Sequence, residues 1–175
     1  MHHVILTAIG TDRPGLVDEV SQFIFQHGGN IEDSRMVNLH GQFAMMLLVG
    51  GGEAIQSQLH DDLPRFIRST GLQIQLHVAS PPRPTASAQA LPYRLTATAM
   101  DQGGLVHRIA HLLRQHNANI ENLDTHLTAA PITGAPVFEM DLTMSIPKET
   151  SLAKLRQSLG TLCDELNIDW DLSAL

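Results

Sequence analysis

Two α+β units joined by a linker, each an antiparallel four-stranded sheet with two helices on one face, are what this 175-residue sequence predicts. Two observations carry the prediction. The first is an internal repeat: moving the chain by 89 residues lays positions 4–33 onto 93–122, and twelve of those 30 pairs are identical. Asp12, Gly15, Leu16 and Val17 meet Asp101, Gly104, Leu105 and Val106, and Asn30, Ile31 and Glu32 meet Asn119, Ile120 and Glu121. The second is that hydrophobic periodicity switches in the same order in both copies: strand, helix, strand, strand, helix, strand.

Residues 3–9 alternate as a strand covered on one face does. Leu16, Val17, Val20, Phe23 and Ile24 then fall at helical spacing, and Leu105, Val106, Ile109, Leu112 and Leu113 repeat the stripe. Strands are expected over 30–39 and 42–49, and over 119–129 and 136–144. The copies diverge in the hairpin between them, where six extra residues lie near Pro131 to Pro136; beyond it FAMMLLV at 43–49 aligns with FEMDLTM at 138–144. Ile55, Leu59, Leu63, Phe66 and Ile67 predict a second helix, as do Leu152, Leu155, Leu159, Leu162 and Leu166. Leu72, Ile74, Leu76 and Val78 alternate with polar residues in a closing strand, matched by Ile168, Trp170 and Leu172. Two helical stripes against one sheet leave its other face open.

The expected boundaries are a first domain at 1–80, a linker at 81–91 and a second domain at 92–175. The joining stretch, SPPRPTASAQALP at 80–92, is rich in prolines without amide donors and in small polar residues that cannot build a core. The outward positions of the third strand differ between the copies. They are Ala44, Met46 and Leu48 in the first, but Glu139, Asp141 and Thr143 in the second. The apolar set is expected to lie against a partner, or under the linker or the other domain.

Composition narrows the function. Eleven Lys and Arg against 18 Asp and Glu give a formal charge of −7, opposed to direct nucleic-acid binding, which needs a basic surface. The single Cys163 forms no internal disulfide framework and fits a reducing compartment. The longest apolar run, Phe43 to Val49, is far too short to span a membrane, and MHHVILTAIG has no secretory pattern, so a cytoplasmic protein is expected. The chain is expected to be no enzyme. His107 and His111 share a helix face without the glutamate of a zinc motif, Cys163 has no partner at metal-site spacing, and no nucleophile turn or phosphate loop is present. His27 and His116 recur near a helix end, where an imidazole can meet helix carbonyls.

The turn from first strand to first helix reads Asp12-Arg13-Pro14-Gly15-Leu16, and in the second copy Asp101-Gln102-Gly103-Gly104-Leu105. Two readings of it are open. Asp and Gly could serve only as cap and turn residues. Alternatively the amides at the helix start could take a ligand carboxylate while a side-chain acceptor holds its ammonium.

The opening TAIGTDRPGLVDEV, the HGGNIEDSRM that follows, and the divergent second copy with NANIENL resemble a tandem of ACT domains. In particular the chain is similar to the glycine cleavage system transcriptional repressor family, over almost its whole length. The resemblance implies ferredoxin-like domains, no cofactor, and a small amino-acid effector such as glycine. In amino-acid-binding ACT modules the glycine of the first turn approaches the effector, and the second strand of a neighbouring module forms the other wall. That implies Asp12, Gly15 and Leu16 with Asn30 and Ile31, and Asp101, Gly104 and Leu105 with Asn119 and Ile120. Asn30 and Asn119 could equally hold the helix–strand turn in shape. The family is thought to repress glycine cleavage system transcription through a DNA-binding transcriptional activator and without binding DNA itself. The other readings are an ACT-type sensor regulating a metabolic enzyme and a purely structural protein-interaction module. Glu32, Asp33, Arg35 and Met46 are the expected partner-facing residues, with the seam between modules, or a solvated strand edge, as the other readings of the three charged ones. Whether modules pair within the chain or across a homo-oligomer is open at this level.

Overall fold

The computed structural model of the protein describes residues 2–79 and 90–175. The chain divides into two compact units, Met1–Arg83 and Pro84–Leu175. The first contains β1 (His2–Thr11), α1 (Leu16–Gln26), β2 (Asn30–Leu39), β3 (Gln42–Gly51), α2 (Ile55–Thr70) and β4 (Gln73–Val78). The second contains β5 (Ala90–Met100), α3 (Leu105–Gln115), β6 (Asn119–Ala129), β7 (Pro136–Pro147), α4 (Leu152–Leu166) and β8 (Asp169–Ala174). Strand orders are β2-β3-β1-β4 and β6-β7-β5-β8, antiparallel throughout, so each unit is the expected ferredoxin-like βαββαβ. The expected linker lies outside the described residues except at its end. There Ala90 and Leu91 open β5, opposite Pro147 and Ile146 of β7.

Each core follows from strand parity. Val4, Leu6 and Ala8 of β1 stand opposite Val49, Leu47 and Met45 of β3, and all six are buried. Leu16, Val20, Phe23 and Ile24 of α1 and Ile55, Leu59 and Leu63 of α2 close over them. In the second unit Leu95, Ala97 and Ala99 meet Leu142, Met140 and Phe138 beneath Leu105, Ile109 and Leu113 of α3 and Leu155, Leu159 and Cys163 of α4. Each full burial of a Leu-sized side chain is worth about 1.5–3 kcal/mol. Two expectations shift. Val17 stands at the margin of its stripe, largely exposed, and Leu72 and Ile168 are buried anchors just ahead of β4 and β8.

The repeated Asn-Ile-Glu marks a β-bulge. Pairing steps from Ile31 opposite Val49 to Asp33 opposite Leu48, and from Ile120 opposite Met144 to Asn122 opposite Thr143. Glu32 and Glu121 are therefore the extra residues. Opposite residues share a face, so Ile31 turns toward the helices, while Asp33, Arg35, Val37 and Leu39 turn outward.

A tight exit from α1 delivers the chain to this bulge. Gly28 adopts φ +74°, and a Cβ on Gly29 would sit 2.8 Å from Ile24 Cγ2 and 2.9 Å from Val49 Cγ1. His27 caps the helix: as an imidazolium it donates from Nδ1 to the Phe23 carbonyl at 2.7 Å and from Nε2 to Asp62 Oδ2 of α2 at 3.0 Å. Its ring rests 4.5 Å from that of Phe23, which stacks on Phe66 at 4.3 Å. In the second unit His116 holds the same place and meets Ser158 Oγ at 3.2 Å. Burial opposes the charge on His27, but the Phe23 carbonyl and Asp62 outweigh it and raise its pKa.

A raised folded pKa means that the imidazolium stabilises the first unit fully below the unfolded value near 6.5, and that this contribution is lost as pH rises through the folded value. Thermal unfolding of the protein should show the first unit losing stability above about pH 6.5, with Asp62→Asn flattening that dependence. Gly29→Ala should cost about 1–3 kcal/mol in urea unfolding, because Ile24 and Val49 must move to admit the methyl.

Candidate functional site

The two strand-to-helix turns share a backbone. Gly15 has φ 93° and ψ −9°, and Gly104 has φ 92° and ψ 6°, the left-handed region that costs a side-chain-bearing residue about 1–2 kcal/mol. Their carbonyls accept the first helical hydrogen bonds, from Glu19 N at 2.9 Å and Arg108 N at 3.0 Å. Neither N-cap carries a capping side chain, so Asp12 and Asp101 do not cap these helices. The first-turn amides are left as carboxylate-receptive donors.

Each turn is tied to the hairpin of its own sheet. Asp12 N donates to Gly41 O at 2.8 Å, and Asp101 N donates to Pro136 O at 3.0 Å. In the first unit Asn38 reinforces the tie: Nδ2 donates to Asp12 Oδ2 at 2.5 Å, while Oδ1 accepts from Gly41 N at 3.2 Å. Sequence reasoning missed Asn38. Its only sequence signal is the following His40-Gly41, both at positive φ, which builds the tight hairpin. Leu127 occupies the matching place in β6, and the second turn is instead held by Gln102 Nε2 donating to Leu166 O at 3.0 Å.

Charge separates the turns further. Arg13 folds over α1 and grips Glu19 with two hydrogen bonds of 2.5 and 2.8 Å, holding the Glu19 carboxyl below its ordinary range. The first turn of α1 also carries Asp18, whereas α3 carries His107 and Arg108 at those two positions. Near the helix start the second unit is cationic and the first is not, so the turns are chemically inequivalent.

The expected effector residues do not converge within one module. Leu16 and Leu105 are core side chains, leaving only their main chain to a ligand. Asn30 and Ile31 follow the C-terminal end of α1, whose eleven residues span about 16 Å. Each module thus presents a turn at one end of its helix and the start of a second strand at the other. Between them, along α1, β2 and β3, lies a cleft of about 170 Å³ lined by Val17, Val20, Ile31, Ser34, Met36 and Met45 among others. Ile109 and Leu123 replace Val20 and Ser34 in the second unit, adding bulk at the matching places.

The expected partner-facing residues divide. Glu32 turns back over Gly50, where a Cβ would meet its Oε1 at 2.1 Å, and pairs with His3 Nε2 at 3.0 Å. Asp33 and Arg35 pair with each other at 2.8 Å and remain exposed, as does Met46. On the outer face, rows of paired residues read Asp33, Leu48, Ile5, His77; then Arg35, Met46, Thr7, Gln75; then Val37, Ala44, Ile9, Gln73. The corresponding rows of the second unit read Asn122, Thr143, Arg94, Ser173; then Asp124, Asp141, Thr96, Asp171; then His126, Glu139, Thr98, Asp169. Arg94 grips Asp141 with two hydrogen bonds and lowers its pKa.

Among the described residues no group of three His, Cys, Asp or Glu could hold a metal, and no helix is long and apolar enough to cross a membrane. His107 and His111 lie exposed with rings 6.0 Å apart. Burial, then Asp164, pushes the Cys163 thiol up to about 11, so it stays protonated and unreactive at neutral pH.

The pattern of the ACT domain matches residues 2–77. A UPF0237 protein of Methanopyrus kandleri is 36% identical over 76 residues, 42% of this chain and 84% of that protein. The chain belongs to the ACT-domain family. This tandem ACT-domain protein is related to the glycine cleavage system transcriptional repressors. It is 27% identical to that of Escherichia coli K12 over 175 residues, 99% of this chain and 90% of the relative. A protein of unknown role from Galdieria sulphuraria, solved by crystallography, superposes with a TM-score of 0.81 at 29% identity, covering 99% of this chain and 98% of that one. The kinship makes this ACT protein a non-catalytic regulator, from a family responsive to small amino acids.

Asn38→Leu, the residue of the second unit, should release the Asp12 carboxylate with little loss of fold. Hydrogen exchange should then quicken across residues 12–15, while global stability falls by about 1–3 kcal/mol, the worth of the two hydrogen bonds that Asn38 makes.

Proposed function

We propose that this protein is an amino-acid-responsive repressor of glycine cleavage system transcription, acting through a DNA-binding activator and without touching DNA. The observation that carries the reading is the duplicated left-handed glycine turn at Gly15 and Gly104, which opens a helix start and is anchored to the adjacent hairpin. A helix start of this kind suits the carboxylate of a small amino acid, and Asp12 or Asp101 supplies an acceptor for its ammonium. Asn30 and Ile31, or Asn119 and Ile120, of a neighbouring module supply the other wall. Their placement at the far end of each helix from its glycine turn supports a site completed by a second module. Effector binding favours whichever arrangement of modules closes the site, and so changes the surface offered to the activator. A net charge of −7 supports regulation through protein contacts.

Calorimetric titration of the protein with glycine, with serine and larger amino acids as controls, tests the reading. Saturable glycine binding is expected, weakened at least tenfold, about 1.4 kcal/mol, by Gly15→Ala or Gly104→Ala. Absence of heat with every amino acid at ~100 μM protein, a range that captures micromolar affinities, would sink it.

A further inference from the structure

The outer face of the first sheet has an unusual balance for a surface. Ile9, Val37, Leu39 and Met46 are 48, 48, 63 and 53% exposed, and Ile5, Ala44 and Leu48 lie between them half-buried. With strands about 4.8 Å apart and rows about 6.8 Å apart, the three rows through Leu48, Met46 and Ala44 and the Leu39 margin form a patch roughly 20 Å on a side. The formal charges within those rows are one acid and one base, Asp33 and Arg35.

We infer that this face is a self-association surface, on which two copies of the chain pack their first sheets face to face. Three properties select a second copy as the occupant. The patch is neutral overall, so a like surface brings equal numbers of opposite charges and no net repulsion. Its apolar rows offer a strongly charged partner no compensation for desolvation. Its accessible area is on the order of 500 Å² per copy, or about 1,000 Å² for the pair, the lower limit for a specific interface. The same face of the second unit gives the contrast. Its three rows carry Asp124, Asp141, Asp171, Glu139 and Asp169 against Arg94 and His126, so two such faces would repel. One scaffold thus presents an associating face and a self-excluding one, and the difference lies in outward residues that the core does not constrain. The small area makes the dimer reversible and concentration-dependent.

Sedimentation velocity and light scattering of the full chain from ~1 to ~200 μM test this, a range that spans weak dimers. The wild-type protein should pass from monomer to dimer across it. Ala44→Glu with Met46→Asp installs residues found at the same register positions of β7, where this strand geometry already accommodates them. That double variant should stay monomeric at ~200 μM with an unchanged circular dichroism spectrum. Leu127→Asp adds a charge at an exposed position of the second unit, outside the residues of the patch, and should leave the dimer intact. A monomeric wild type at the highest concentration overturns the inference, as does a double variant that dimerises like the wild type. The titration reads effector heat and the sedimentation reads mass without effector, so this inference and the effector reading can fail separately.

Discussion

One constraint organises each unit: the central pair of strands is buried on one face only. With Val4, Leu6 and Ala8 facing Val49, Leu47 and Met45 under two helices, every intervening residue is forced outward. A slip of one residue would exchange the two sets, so the core fixes the register of the sheet as strongly as it fixes the helices. The bulge at Glu32 is the single place where the first sheet leaves that register. It does so between a buried Ile31 and an outward Asp33, letting the edge strand start in the core and continue along the surface.

Duplication shows which positions the constraint governs. Buried core residues are kept or change in size between the copies, as Leu47 is kept at Leu142 and Val20 becomes Ile109. Many outward residues instead change in kind, as Met46 to Asp141 or Ala44 to Glu139. The turn glycines fall in the first class for a different reason. Gly15 is exposed and packs against nothing that demands a small residue, yet its left-handed backbone demands glycine. The His27 and His116 pair shows the same retention with a changed second partner, Asp62 in one unit and Ser158 in the other.

Most of the fold was legible because its elements are local periodic patterns. Leu105, Ile109, Leu112 and Leu113 announce a buried helix face without knowledge of what covers it. Element ends were less legible. Leu72 is buried by its place before β4 and makes no ladder pair there, so alternation alone could not exclude it from the strand. Ala90 and Leu91 pair with β7 in a stretch whose composition resembles a linker. In the candidate site, Gly15 and Gly104 could be read from the sequence because a glycine before a helical stripe is a local signal. The clamp from Asn38 to Asp12 spans 26 residues, and the Glu32 to His3 pair depends on two strand pairings and the missing side chain of Gly50. Neither relation exists until the register is known.

That register also makes the first turn and the first sheet's outer face continuous. The hairpin from Asn38 to Gln42 holds the turn through Asn38 and Gly41, while Leu39, opposite Gln42, belongs to the outer face. Thr11, the last residue of β1, pairs with Gln42 and leads directly into Asp12. Displacing the turn therefore strains the same few residues that carry the margin of the apolar patch. In the second unit a longer connection, closed by Ala130 N to Ala135 O and Gly134 N to Ala130 O, takes the hairpin's place, and Asp101 keeps only the main-chain tie. The first unit thus couples its turn to its face through a short, doubly tethered hairpin. The second has the turn with a looser tie and an acidic face, so the two copies of one fold are built to respond differently to the same displacement.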